Sequence, residues 1–387
     1  MKVLFVSNLF PDESEPQRGI YNARLLRSLS KKCEIRVVSP RPSLPFRGGA
    51  THRPRTEDAA LQPLFPTVRY IPKIGSAFNH RLMARSLRAH LRQVQASFQF
   101  DVILASWLYP DACGVSILAR ELDVPLVAVC QGSDAHQYLN HPTRKRIIVE
   151  SLEASTIITR SLELARLLQG AGIEKQRLKT IYNGVDLDLF HPIDKGAARQ
   201  ALNLPLHDKI VLFVGNFYPV KNPHLVARAY IKLCTDNPDN RHRLIMIGDG
   251  PERKGVIQSL VGTGFEPNAR FPGRLSTETV ARYMQAADVL CVPSDNEGVP
   301  NVILEAFATG LKVTATEVGG IPEVLNAPHL GALTRKGDPD QLSTALRNEL
   351  NKTGAREQIR EHANQFSWEK AADAYLDTLQ DVAGNRA

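Results

Sequence analysis

Short apolar runs alternate with helical patterns from one end of this chain to the other, and that alternation constrains its fold more than any other feature. In the first half the strand candidates are Lys2–Ser7, Glu34–Ser39, Val102–Ala105, Leu126–Cys130, Thr156–Thr159 and Leu178–Ile181. The second half offers Lys209–Val214, Arg243–Ile247, Ala269–Phe271, Ala287–Val292 and Lys312–Thr316. Apolar runs separated by helices build parallel sheets covered on both faces. The expected class is therefore α/β. Because 387 residues exceed one ordinary core, two doubly wound domains are expected. The turn-rich Tyr182-Asn-Gly-Val-Asp186 marks their boundary, giving domains 1–190 and 191–366 and a terminal segment 367–387. In that segment Ser367 suits an N-cap. Trp368, Ala372, Tyr375, Leu376 and Leu379 share one helix face that must be covered. Residues 41–66, rich in Pro and Arg, read as an irregular, mobile loop.

Composition narrows the function classes. A hydrophobic content of 43% with 23% charged residues is that of a soluble globular protein. No apolar run approaches the roughly 20 residues that span a bilayer, and Met-Lys-Val-Leu-Phe-Val reads as a first strand rather than a signal peptide. Cys33, Cys113, Cys130, Cys234 and Cys291 are scattered without paired spacing, which argues against a zinc site or disulfide framework and fits a reducing cytoplasm. Residues 1–190 carry 26 Lys and Arg against 17 Asp and Glu, whereas residues 191–387 carry 22 against 23. The excess charge thus sits in the first half, as expected of a domain that faces an anionic partner. A helix at Phe78–Val94 with Arg81, Arg85, Arg88 and Arg92 on one face and Met83, Leu87, Leu91 and Val94 on another suits an anionic membrane surface. A core-packed helix with solvated arginines fits the same pattern. Nucleic acid is a poor partner, because aromatics are only 6% and do not interleave with the basic residues.

In parallel sheets ligands gather at the carboxyl ends of strands. The richest such segment is Ser294–Leu325. Glu297 follows the strand Ala287–Val292, Pro300 suits the first position of a helix, and Glu305 lies about a turn into it. The amides of Gly298, Val299, Asn301 and Val302 lie between the two carboxylates. Helix-start amides make an anion site for which phosphate is the usual guest. Carboxylates beside a phosphate site make sense if they hold something neutral and hydroxyl-rich, such as a sugar and a ribose. After Lys209–Val214 comes Gly215-Asn216, with Lys221 placed as a point charge for a diphosphate. Gly248 and the Arg270–Arg274 turn, with Gly273, end two further strands, and the second could read a nucleobase edge through its backbone. In the first half, Arg18-Gly19 precedes a helix beginning near Tyr21. Cys130-Gln131-Gly-Ser133-Asp134-Ala-His136 follows another strand, offering Asp134 as an N-cap or sugar ligand and His136 as a base.

Taken together these residues resemble the retaining glycosyltransferases of family 4. The likeness rests on Glu297-x7-Glu305 within Pro293-Ser…Glu-Gly-Val-Pro…Leu-Glu-Ala-Phe-Ala-x-Gly, on Val318-Gly-Gly-Ile-Pro-Glu323, and on Tyr182-Asn-Gly-Val-Asp186. Lys221-Asn222, Gly248-Asp-Gly-Pro251 and Phe366-Ser-Trp368 add to it. It implies the GT-B fold: two Rossmann-like domains facing a cleft, with the C-terminal helix crossing back to the first. It implies metal-independent hexosyl transfer with retention, from a UDP- or GDP-linked sugar to a saccharide or lipid-linked acceptor, without a cofactor. Glu297, Lys221 and Asp134 would be catalytic. Gly19, Asn216, Lys221, Gly248, Gly273, Glu297, Gly298, Val299, Asn301, Val302 and Glu305 would hold the donor. Arg18, Gln131, Ser133 and His136 would face the acceptor, and the basic first domain an anionic membrane surface. Two positions depart from the family pattern: Asn216 stands where Arg is common, and Gln131 where His is common. A lost charge-assisted bond is worth roughly 1.5–3 kcal/mol, so an inactive sugar-nucleotide-binding relative and a GT-B epimerase are the alternatives.

Overall fold

The computed structural model describes residues 1–43, 52–238 and 241–384. They fall into two compact units, Met1–Asn183 with Trp368–Ala387, and Gly184–Ser367.

The strands of the first unit are β1 (Lys2–Val6), β2 (Glu34–Val38), β3 (Arg41–Ser43), β4 (Thr67–Arg69), β5 (Val102–Ser106), β6 (Leu126–Cys130), β7 (Thr156–Thr159) and β8 (Leu178–Thr180). Six of them form a parallel sheet in the order β2-β1-β5-β6-β7-β8, and β3 and β4 pair separately. Side chains alternate across the sheet, so each strand feeds two cores. Leu4, Val6, Ile103 and Ala105 face α2 (Asn79–Phe98) and α3 (Cys113–Leu122). Val3, Phe5, Val102 and Leu104 face α1 (Ile20–Leu29) and the helix Trp368–Gly384. The terminal helix buries Trp368, Ala372, Tyr375 and Leu379 in that second core, while Leu376 is only partly covered. Burying each large apolar side chain contributes about 1.5–3 kcal/mol, which is ample reason for the chain to return here.

The second unit contains β9 (Lys209–Val214), β10 (His242–Ile247), β11 (Ala269–Gly273), β12 (Val289–Val292), β13 (Lys312–Thr316) and β14 (Gly331–Thr334). All run parallel, in the order β11-β10-β9-β12-β13-β14. Counted within the unit this is 3-2-1-4-5-6, the order of dinucleotide-binding sheets, whose topological switch point lies between the first and fourth strands. Here those strands are β9 and β12.

Several expectations shift. Residues 184–190 pack with the second unit: Val185 bridges to Ser367, and Arg360 donates to the carbonyls of Phe190 and Leu187 at 2.7 and 3.0 Å. The division therefore falls upstream of residue 190. The segment 41–66 is not irregular throughout. Arg41–Ser43 is a strand, Thr56–Leu61 is a 3-10 turn with Asp58 and Leu61 buried, and residues 44–51 lie outside the described residues. Pro300 is the N-cap of the helix Asn301–Ala308 rather than its first residue, with an extended ψ of 125°. On α2 the apolar face of Met83, Leu87, Leu91 and Val94 lies in the core. The helix is therefore core-packed and that face is not available for insertion into a membrane. Among the described residues no helix is long and apolar enough to cross a membrane.

Candidate functional site

In the second unit the switch point brings together the loops after β9 and β12. The β12 loop carries Glu297, whose side chain is 12% exposed, and the β9 loop carries Lys221. Lys221 Nζ donates to Glu297 Oε1, and the buried Ser294 donates to the same oxygen at 2.8 Å. Ser294 is itself held, because Thr316 Oγ1 at the end of β13 donates to its carbonyl. Below Glu297 runs the glycine pair of the β13 loop. Gly319 has φ 53°, and a Cβ there would stand 1.7 Å from the Glu297 carbonyl oxygen. Only glycine allows this approach, and it lets Gly320 N–H donate to Gly298 O at 3.0 Å. The loop holding the carboxylate is thus clamped from two neighbouring strands.

Glu305 follows in the helix Asn301–Ala308 and is half-buried. The first amides of a helix have no partner within it and carry the positive end of its dipole. Gly298, Val299, Asn301 and Val302, all half-buried, line this helix entrance. The arrangement offers an anion its amides and a polyol its two carboxylates.

The other expected donor positions spread along the same sheet edge. Asn216 is exposed just after β9, and its carbonyl accepts from Tyr218 N–H at 2.9 Å. Gly248 follows β10 and donates its N–H to Gly273 O at 2.8 Å. Arg253 donates to Phe271 O at 2.8 Å. Two carbonyls expected to read a nucleobase edge are therefore engaged within the protein. Sequence reasoning missed Arg253, Ser294 and Thr316, whose roles depend on which loops the sheet order makes neighbours.

In the first unit the loops after β1, β5 and β6 meet. Gly19 caps α1 with φ 62°, and a Cβ there would stand 2.1 Å from Leu9 O. Arg18 is spent on its own loop: Nε donates to Asn8 O at 2.7 Å, a second nitrogen to Asn8 Oδ1 at 3.1 Å, and a third to Glu15 at 3.0 Å. Gln131 donates to Asn22 Oδ1 at 3.0 Å and Ser106 Oγ at 2.6 Å, tying β6 to α1 and β5. Ser133 is exposed, whereas His136 is half-buried with Nε2 3.7 Å from Glu163.

Asp134 corrects an expectation. Its side chain is fully buried. Oδ1 accepts from the amides of Gln131, Gly132 and Ala135, and Oδ2 from Leu108 N–H at 2.9 Å. Burial pushes its carboxyl up, against these bonds. Neither expected role fits: the N-cap of the helix Ser133–Tyr138 is Gly132, with Asp134 in its first turn, and the buried carboxylate braces the loop instead. Asp111 is another buried carboxyl of these loops, pushed up to about 7, chiefly by burial, against hydrogen bonds from Asn8. It accepts from Asn8 N–H at 2.6 Å and lines a cavity of about 240 Å³ with Trp107, Tyr70, Tyr138 and Asn8.

Two family profiles match the chain, one described as Glycosyltransferase Family 4 over residues 19–189 and one as Glycosyl transferases group 1 over residues 194–366. The second contains every residue of the β9, β12 and β13 loops just described. The chain belongs to glycosyltransferase family 4. Among curated members it is 33% identical over 258 residues to a D-inositol 3-phosphate glycosyltransferase of Nocardioides, covering 61% of this chain and 56% of that one. It is 32% identical over 293 residues to the enzyme of the same name from Mycobacterium ulcerans, covering 72% and 62%. The chain thus spans between 56% and 62% of the length of these two relatives. Among solved structures, Anabaena HepE in complex with UDP superposes with a TM-score of 0.75 at 21% identity, over 98% of this chain and all of that one. A sucrose-phosphate synthase from Thermosynechococcus elongatus gives 0.78 at 20% identity over the whole of both chains. These likenesses show the GT-B fold.

Proposed function

We propose that this chain is a metal-independent glycosyltransferase that moves a hexosyl unit from a nucleoside diphosphate sugar to a saccharide or lipid-linked saccharide, with retention at the anomeric carbon. The observation that carries the reading is the clamped Lys221–Glu297 pair beside the entrance of the helix that bears Glu305. Departure of a nucleoside diphosphate needs charge stabilisation where charge develops. The helix-entrance amides and Lys221 supply it once the incoming phosphates compete Lys221 away from Glu297. Glu297, relieved of its cation, then faces the sugar ring as positive charge grows there. Glu305 holds the ribose hydroxyls.

UDP is the favoured donor base, since HepE is described in complexes with UDP, with UDP and glucose, and with UDP-glucose. The curated relatives' name supports a second acceptor class, a phosphorylated cyclitol. For the first unit we propose electrostatic contact with an anionic membrane surface through the exposed Arg81, Arg85 and Arg92, without insertion, because the apolar face of α2 is buried. Co-sedimentation with anionic vesicles that is lost in high salt would support it.

The test of the enzyme reading is turnover of UDP-, GDP- and ADP-hexoses with saccharide and cyclitol phosphate acceptors. Loss of transfer in Glu297→Ala and Glu305→Ala is expected. UDP binding without turnover for every donor and acceptor would instead establish an inactive binding relative.

A further inference from the structure

The first sheet has a switch point of its own. In the order β2-β1-β5-β6-β7-β8 the chain leaves β1 for β2 on one side and returns to β5 on the other. The crevice at the carboxyl ends of β1 and β5 is where a doubly wound sheet takes a ligand. The cavity of about 240 Å³ lies there, with Asn8 and Leu9 after β1 and Trp107 and Asp111 after β5 in its wall.

Its rings are fixed in advance. Trp107 follows the last residue of β5 with a positive φ of 81° and ψ of 114°. Such strain in a non-glycine residue persists only where the surroundings impose it, and it gathers at functional sites. Here Trp107 N–H donates to Val129 O and its carbonyl accepts from Ala112 N–H, both at 3.0 Å. The indole meets the Tyr138 ring edge-on at 6.3 Å, and the Arg144 guanidinium covers Tyr138 at 4.7 Å. Tyr70, half-buried after β4, supplies a third ring.

The enclosed polar side chains of the wall are committed within the protein. Asn8 Nδ2 donates to both oxygens of Asp111, at 2.9 and 2.8 Å, and Asn8 Oδ1 accepts from Arg18 at 3.1 Å. Both ends of the Asn79 amide bind the backbone of Ile71, at 3.1 and 2.9 Å. What remains of the wall's side chains is aliphatic carbon, three aromatic rings, each with a single polar tip, and the exposed Arg69. A free hexose or a cyclitol phosphate has more polar groups than these can satisfy, and burying the rest is unfavourable. An apolar group sacrifices no hydrogen bond and gains its full burial.

We propose that this cavity takes the apolar group of a lipid-linked saccharide acceptor, with the saccharide itself outside the ring of aromatic side chains. This rests on the transferase reading and names the acceptor class within it: lipid-linked, rather than free saccharide or cyclitol phosphate.

The chain has two tryptophans, Trp107 and Trp368, so Trp368→Phe leaves an indole signal from the cavity alone. Emission of the full chain is titrated with methyl, butyl and hexyl glucoside, each below its micelle concentration, and with a cyclitol phosphate. A saturable blue shift is expected with hexyl glucoside. Affinity should rise about fourfold per buried methylene, the worth of one CH₂, and about tenfold or more from methyl to hexyl. Tyr70→Ser and Leu9→Gln, both at half-buried positions, should each weaken hexyl glucoside about tenfold or more on protein whose melting temperature matches the parent. No saturable shift, equal affinity for methyl and hexyl glucoside, tighter binding of the cyclitol phosphate, or indifference to both substitutions would each overturn the proposal. Initial rates with a UDP-hexose separate it from the transferase reading. Transfer to methyl and hexyl glucoside with equal KM keeps the transferase and overturns the cavity's role. Chain-length-dependent binding without transfer to any acceptor keeps the apolar site and overturns the transferase.

Discussion

Lys221 and Glu297, 76 residues apart in sequence, form one ion pair at the switch point of the second sheet. Each neutralises the other, so the unliganded loop carries neither a bare cation for phosphate nor a bare carboxylate for a sugar. Lys221 is about a third exposed, so solvent screens the pair and it contributes little to folding. Lys221→Met should leave thermal stability within about 1 kcal/mol of the parent while lowering kcat/KM for a UDP-hexose by about 100-fold or more. Unfolding curves and initial rates on the same preparation check both halves.

Glu305 should act on binding rather than on chemistry. Glu305→Gln should raise KM for the nucleotide sugar roughly 10–100-fold, the worth of a hydrogen bond to a charged group, with a smaller change in kcat. A fall in kcat at constant KM would move Glu305 from the ribose to the reacting centre.

Gly319 makes a sharper structural demand. Gly319→Ala places a methyl against Glu297 O and needs φ near 53°. We expect a loss of at least about 2 kcal/mol in the second unit, more than the roughly 1–2 kcal/mol of the left-handed backbone alone, together with loss of transfer. Gly337→Ala is the control: its φ is 74°, but nothing stands within 4 Å of the added carbon.

Asp111 sets a pH dependence in the first unit. Its carboxyl is raised to about 7 in the fold against about 4 unfolded, so the native state binds more protons across that window. Its contribution to stability therefore falls as pH rises from about 4 to 7 and is flat above. Asp12 moves the other way: burial raises its carboxyl, but Ser14, the Glu15 amide, His52 and Arg41 together hold it well below the usual range. Its contribution is full above about pH 4 and is lost only in stronger acid. Urea denaturation between pH 4.5 and 8 should give a shallower decline for Asp111→Asn than for the parent.

Tyr375 is fully buried in the core that the terminal helix shares with α1. Tyr375→Ala should cost about 3–5 kcal/mol, read as a lower urea midpoint for the first unit.

The fold was legible because buried parallel strands are written as contiguous apolar runs. Leu126–Cys130, Thr156–Thr159, Lys209–Val214 and Lys312–Thr316 fall where the sequence places them. β14 escaped because Gly331-Ala-Leu-Thr334 is short, opens with glycine and has little apolar periodicity. Pairing with β13, not its own pattern, makes it a strand. At the site, chemistry was readable wherever one loop supplied it, as in Glu297-Gly-Val-Pro-Asn-Val. Commitments between loops were not. That Arg18 is spent on Asn8, that Gln131 ties Asn22 to Ser106, and that Asp134 braces its own loop all follow from distances only the folded chain sets.

The terminal helix has a consequence for synthesis. The second unit begins and ends at one place, with Val185 N–H on Phe366 O at 2.7 Å and Val185 bridging to Ser367. A ribosome therefore delivers all of that unit before the first unit's last helix exists. Domains usually mature from the N-terminus as they are made, but here the unit that starts first closes last. Until Trp368 and Tyr375 emerge, α1 and one face of the first sheet wait with their apolar surface uncovered.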